Sequence, residues 1–377
     1  MTIDRRRLLG GSAAALTIAG LPKISFAAQS GSAKRLVFIL QRGAADGLGI
    51  LAPVGDPAYA SLRGMLAEDY ADTPQIGGLF AFHPALTKSA ELYASGEMMA
   101  VHAVASGYRD RSHFDGQNII ESGGSRPYER KDGWLNRLLG LLPEGENSGL
   151  AISQNIPLAL QGQNKSGSYA PSRLPDAADD YMRRIGHLYM GDERLHKLWE
   201  ESIATRTVAE SMGGAGNMRQ SAEVGALAAR LLTAKDGAQV AMIETTGWDT
   251  HNGQRQRLGR ELGNLDTLIS SLRRGLGTVW NDTLVIVATE FGRTAAVNGT
   301  NGTDHGTAST TLLYGGTLNG GTVLGDWPGL SQNDLYQGRD LKPTSALETV
   351  IATSCATHFG LDRELTKRTL YPDLQLR

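Results

Sequence analysis

The sequence is short of the residues that carry several common chemistries. It has one cysteine, Cys355, in 377 residues. That excludes an internal disulfide framework and a thiolate zinc cluster. Cys355 sits in an apolar, helix-like stretch over 346–360 and reads as core packing. Neither charge sign is in excess: 37 Lys+Arg stand against 39 Asp+Glu, a net −2. A nucleic-acid surface would show as a basic surplus, so no nucleic-acid partner is expected. Disorder is excluded too, because 41% of residues are hydrophobic and only 20% are charged. The 47 glycines follow no Gly-X-Y period, which rules out collagen. No solenoid or propeller repeat is present. The Gly-x-Ser-x-Gly elbow, the Gly-Lys-Ser/Thr phosphate loop and a Gly-x-Gly-x-x-Gly after the first strand are all missing. A hydrolase triad on that elbow, P-loop ATP hydrolysis and dinucleotide redox chemistry lose their usual sequence support.

Long hydrophobic runs are also missing, so no stable membrane span is expected in the mature chain. What stands at the start is an address. Arg5-Arg6-Arg7-Leu8-Leu9 precedes an Ala-rich apolar stretch over 10–21, and Ser25-Phe26-Ala27 supplies small residues for a signal peptidase. This reads as a twin-arginine signal over 1–27, implying the translocation machinery as a partner and a periplasmic or secreted destination. That route carries folded proteins, which suits a protein loaded with metal beforehand. Residues 28–377 then read as a single domain.

Short apolar runs alternate with helix-like segments along that domain. Strands are expected at 36–40, 98–104, within 152–160, and at 238–244, 283–289, 310–314 and 322–324. Helices are expected from 83 to about 96, and over 112–122, 133–142, most of 176–234, 253–276 and 344–360. Strand bodies that are apolar throughout suit burial on both faces. The pattern therefore predicts an α/β fold, an open and mostly parallel sheet with helices on both faces. Ligands in such sheets bind beyond the carboxyl ends of the strands.

Chemistry-bearing residues follow the strands. Asp46 follows the first. Gly247-Trp248-Asp249-Thr250-His251 and Glu290-Phe291-Gly292-Arg293 follow two later ones, and a glycine-rich loop presents Asp304-His305-Gly306. Alone, each of these is as readily a turn-former, a helix cap or a solvated side chain. Together, Asp46, Asp249, His251, Glu290, Asp304 and His305 offer the oxygen and nitrogen donors of a divalent metal: Zn²⁺, Mn²⁺, Mg²⁺ or Ca²⁺. Six such groups are enough for two ions sharing a site. Ser112, at a helix start, is either a plain N-cap or a nucleophile activated by a neighbouring metal. Arg109 and Arg111 offer forked hydrogen bonds to an oxyanion, and His113 offers a further ligand or a proton donor.

The order of these motifs resembles the superfamily of alkaline phosphatase, sulfatase and the cofactor-independent phosphoglycerate mutase. In that order come an Asp after the first strand, a hydroxyl nucleophile at a helix start, an Asp…His pair, an acidic residue after a strand and a final His. More closely, the chain is similar to a widespread bacterial family of twin-arginine-exported proteins of unknown function. Its Arg-Gly-Ala-Ala-Asp-Gly turn, Phe82-His83-Pro84, Arg111-Ser112-His113-Phe114, Gly247–His251, Thr289–Arg293 and Asp304-His305-Gly306 carry that match. The resemblance implies an alkaline-phosphatase-like fold. It also implies a metal-dependent hydrolase of phosphate esters, or secondly sulfate esters, on a small-molecule or polysaccharide substrate. A non-catalytic exported binding or assembly protein on the same fold is the alternative. Three features depart from the superfamily pattern: the tight Asp-x-His spacing, Glu290 in place of an Asp-His pair, and no cysteine at the nucleophile region.

Overall fold

The structure is a computed structural model and describes residues 34–142, 148–170, 189–192, 194–197, 199, 221–235 and 237–374. The expected signal over 1–27 and most of the expected helical stretch over 176–234 lie outside the described residues.

The strands in chain order are β1 (Arg35–Gln41), β2 (Leu51–Ala52), β3 (Ala81–Phe82), β4 (Met98–Ala105), β5 (Gly149–Ala151), β6 (Ser166–Ser168), β7 (Val240–Thr245), β8 (Thr283–Thr289), β9 (Ser309–Tyr314), β10 (Val323–Leu324) and β11 (Ser345–Ala346). Among the described residues, nine of them form one sheet in the order β10-β4-β9-β8-β1-β7-β5-β6, with β11 beside β4; β2 and β3 form a separate antiparallel pair. Within the large sheet only β9 runs antiparallel to its neighbours β4 and β8. The expected class, a mostly parallel sheet with helices on both faces, is the one observed.

The core explains the sequence pattern. Val37 and Ile39 of β1 point to one face, with Val285 and Val287 of β8, under the helices Gln254–Leu276 and Ser221–Thr233. Leu36, Phe38 and Leu40 point to the other, with Leu284 and Ile286, under Trp134–Leu139 and Leu347–Phe359. Both faces are covered, so the strands carry no polar alternation. Each fully buried Leu, Ile or Val contributes about 1.5–3 kcal/mol. Cys355 is buried in the second of these clusters.

Several local expectations need correction. Residues 152–160 hold no described strand; β5 ends at Ala151, and Leu158–Leu160 is a 3₁₀ turn after Pro157, which has no N–H for a ladder. His83-Pro84 precedes the helix rather than starting it, since the helix spans Thr87–Ala94. The closing helix begins at Leu347, and another, Arg363–Leu370, follows it. Among the described residues, no helix is long and apolar enough to cross a membrane.

Register is what positions the site. Gln41 of β1 lies level with Thr245 of β7 and with Thr289 of β8. Three parallel strands therefore end in line, and the segments after them emerge side by side. Because β9 runs the other way, its N-terminal end reaches the same rim, bringing the residues before Ser309 to that edge.

Two buried histidines give the fold a pH signature. Burial pushes His102 down to about 4 and His358 down to about 3, the latter helped by the nearby Lys34 charge. Both are neutral in the folded chain, whereas the unfolded chain takes up protons near pH 6.5. Stability is therefore full above pH 6.5 and falls as pH drops toward those folded values. At pH 4.5 the loss is about 2–3 kcal/mol per histidine. Thermal melts of wild type and His102→Gln between pH 7 and pH 4.5 test this: the variant should show the shallower decline, and equal slopes would contradict it.

Candidate metal centre

The loops at the rim are packed backbone against backbone. The Gly43 N–H donates to Glu290 Oε1 at 2.8 Å, and the Ala45 N–H donates to Thr289 Oγ1 at 3.0 Å. The loop before β9 lies directly on its neighbours. A Cβ on Gly302 would stand 2.3 Å from the His251 carbonyl, and one on Gly306 would stand 2.3 Å from that of Arg293. Only glycine permits these approaches, and they bring Asp304 and His305 over Asp249 and His251.

Three imidazoles are then oriented alike. His113 Nδ1 lies 2.9 Å from Glu290 Oε1, His305 Nδ1 lies 3.0 Å from the Arg111 carbonyl, and His251 Nδ1 lies 3.1 Å from Asp304 Oδ1. A carboxylate and a carbonyl oxygen only accept, so each Nδ1 donates, and in the neutral ring Nε2 is then the nitrogen with the lone pair. All three Nε2 atoms face Asp249. His251 Nε2 is 3.1 Å and His305 Nε2 3.3 Å from its Oδ1, while His113 Nε2 is 3.5 Å from its Oδ2. His251 Nε2 and His305 Nε2 are 3.0 Å apart. His113 Nε2 is buried and makes no hydrogen bond. One ligand atom each from His113, Asp249 and His305 lies within 4.8 Å of the others. Phe291 stacks on His113, ring centroids 5.1 Å apart, and fixes its plane.

The surrounding charges hold this arrangement. Burial opposes the Glu290 charge, but hydrogen bonds from His113, its own backbone, Gln117 and Gly43 outweigh burial and hold the carboxyl below its usual range. Arg42 extends that support, donating to Gln117 Oε1 at 2.7 Å while Gln117 donates to Glu290. The bond and charge of Glu290 raise the pKa of His113. His305 is lowered, first by burial and then by the charges of His113 and Arg293. Asp249 is partly buried, which works against its charge, yet Arg293 Nη1 donates to it at 2.6 Å and keeps it below the usual range.

The expected site residues thus take different places. Asp249, His251 and His305 meet, and the Nε2 of His113, expected as a further ligand or a proton donor, stands with them. Glu290 and Asp304, expected as ligands, sit one step behind, each on an imidazole Nδ1. Asp46 lies apart: it is 1% exposed, and its Oδ2 accepts from Arg63 Nη2 and Gln254 Nε2. Ser112 is the residue before the helix His113–Ser122, without a side-chain cap bond, and its N–H donates to Tyr108 Oη. Arg109 folds back onto the carbonyls of Ser106 and Tyr108. The Arg111 side chain is held by Asp340, 2.8 Å from Nη2; its contribution to the cluster is its carbonyl. Neither guanidinium is directed at the cluster, because carbonyl and carboxylate acceptors nearby already hold both. Sequence reasoning missed Arg63, Gln254, Thr303 and the role of Arg293. Arg293 was visible in the motif after β8, whereas Arg63 has no local signal.

Over residues 33–370 the sequence matches a family described as "Protein of unknown function (DUF1501)". The chain belongs to the DUF1501 family. No curated protein matches it. Among solved structures, this DUF1501 chain is similar to alkaline phosphatase from the Antarctic bacterium TAB5, at 10% identity and a TM-score of 0.41, covering 89% of this chain and 100% of that one. It is similar to phosphonate monoester hydrolase of Agrobacterium radiobacter at 12% identity and 0.40, covering 87% and 74%. It is also similar to the C-terminal periplasmic domain of EcEptC from Escherichia coli, solved in complex with Zn, at 8% identity and 0.39, covering 78% and 76%. These likenesses are distant, and the site stands on its own geometry.

Carboxylates behind ligating histidines typically change metal affinity 10–100-fold when removed. Glu290→Gln and the exposed Asp304→Ala should each weaken Zn²⁺ or Mn²⁺ binding by about tenfold or more without loss of secondary structure. Competition titration against a chromophoric chelator checks this, and unchanged affinity in both would contradict the assigned roles.

Proposed function

We propose that this chain is an exported metal-dependent hydrolase of phosphate esters, with sulfate esters as the second substrate class. The observation that carries the reading is the convergence of three Nε2 atoms on the Asp249 carboxylate, one of them buried without a hydrogen bond. His113, His251, His305 and Asp249 would hold the ion. Three imidazoles and one carboxylate suit Zn²⁺ or Mn²⁺ better than Mg²⁺ or Ca²⁺, which prefer all-oxygen shells. When bound, such an ion polarises an ester oxygen and lowers the pKa of a hydroxyl beside it.

The chain's own residues supply the rest. Ser112 directly precedes His113 at the start of a ten-residue helix, where backbone N–H groups favour an anion. It is our nucleophile: its oxygen attacks phosphorus as the ester P–O bond breaks, the alcohol leaves with the serine's proton, and water then hydrolyses the phosphoserine to release phosphate and restore the hydroxyl. Glu290 and Asp304 hold the imidazoles in the metal-binding tautomer. Residues 28–377 act as a single domain, exported by the twin-arginine machinery through the signal at 1–27 to the periplasm or beyond. The substrate is a small-molecule or polysaccharide ester. A second reading, a metal-holding binding or assembly protein without turnover, is favoured by one observation: both Arg109 and Arg111 are engaged away from the cluster.

Purified protein should retain a transition metal by elemental analysis and turn over an aryl phosphate faster than an aryl sulfate. Ser112→Ala should lower kcat by about a hundredfold or more while keeping the metal. Retained metal with no turnover on either ester supports the binding reading instead. Absence of metal under every loading condition contradicts both.

A further inference from the structure

A buried guanidinium, that of Arg63, stands on the carboxylate that follows β1. Asp46 follows β1, the central strand, where the sequence pattern offers it as a ligand to a shared pair of ions. Its carboxylate is 1% exposed, and Arg63 is 0% exposed. Arg63 Nη2 donates to Asp46 Oδ2, and Arg63 Nη1 lies 3.3 Å from the Thr294 carbonyl and 3.4 Å from that of Ala295. Tyr59 and Tyr70 close the pocket, their hydroxyls donating to the Leu48 and Gly49 carbonyls. A buried carboxylate needs a partner of opposite charge, and here the guanidinium is that partner on Oδ2, while Asp46 Oδ1 and Arg63 Nε are buried without a hydrogen bond.

The remaining donors form a set for one ion. Glu290 through Oε1 and Asp304 through Oδ1 accept from imidazole Nδ1 atoms. Asp249 Oδ1 also receives Arg293, a second guanidinium, itself 1% exposed. That leaves the Nε2 atoms of His113, His251 and His305 and the carboxylate of Asp249, which is the donor number of a four-coordinate ion. The Asp46 pair is connected to this set without sharing it. Gln254 donates to Asp46 and accepts from Thr303, and Thr303 accepts from Arg293 Nε at 3.1 Å.

We propose that the centre takes a single divalent ion and that the buried Arg63–Asp46 ion pair keeps Asp46 from ligating a second one. This rests on the metal-centre reading above and fixes its stoichiometry. A dication brought to Asp46 would meet the Arg63 charge at contact distance in a dry pocket, where like charges repel strongly.

The test is metal content after loading with excess Zn²⁺ or Mn²⁺ and desalting, measured on the full chain. Wild type should retain one equivalent. Asp46→Asn with Arg63→Met, which removes both charges together, should retain the same equivalent with affinity within about twofold. Should that double variant fail to fold, Asp46→Asn alone serves, since its amide oxygen still accepts from Arg63. Two equivalents in wild type, or loss of the ion in a folded Asp46 variant, overturns the single-ion proposal and leaves the metal-centre reading standing. Zero equivalents in wild type overturns both.

Discussion

The Asp249 carboxylate is the meeting point of the site. Arg293 donates to its Oδ1, which the Nε2 atoms of His251 and His305 also approach, while the Nε2 of His113 faces Oδ2. Four elements supply these groups: the segment after β4, the two segments after β7 and β8, and the loop before β9. Only the segment after β8 and the loop before β9 are close in sequence; the sheet brings the others together. The level ends of β1, β7 and β8 are therefore the mechanical basis of the chemistry.

Each imidazole is fixed from behind as well as in front. Glu290, Asp304 and the Arg111 carbonyl occupy the three Nδ1 atoms, so ring flips and the alternative tautomer both break a hydrogen bond. Arg111 holds its carbonyl in position through a left-handed backbone, φ 59°, an uncommon conformation outside glycine. Its side chain is tied to Asp340, which also accepts from Thr307. The left-handed residue is thus anchored by a buried carboxylate from a distant part of the chain, between β10 and β11.

Much of this was legible in the residues. The apolar run at 283–289 reads as a doubly covered strand because both faces are in fact covered. Asp249, His251 and His305 were visible because their types follow strands. The direction of β9 was not visible, since a continuous apolar run reads the same either way. Residue type also gives no sign of which imidazole nitrogen a carboxylate will meet, so Glu290 and Asp304 read as ligands although each stands on an imidazole Nδ1. Asp46 read as a ligand because Arg63, its partner, lies on a five-residue helix with no pattern linking the two. The short apolar run near 152–160 failed as a strand because Pro157 interrupts it.

The central claim is that three imidazoles and one carboxylate share one ion. X-ray absorption spectroscopy of the zinc-loaded protein addresses it most directly. The account predicts the multiple-scattering signature of three imidazoles, with nitrogen donors at about 2.0–2.1 Å and one carboxylate oxygen. A shell of oxygen donors without imidazole scattering would contradict it.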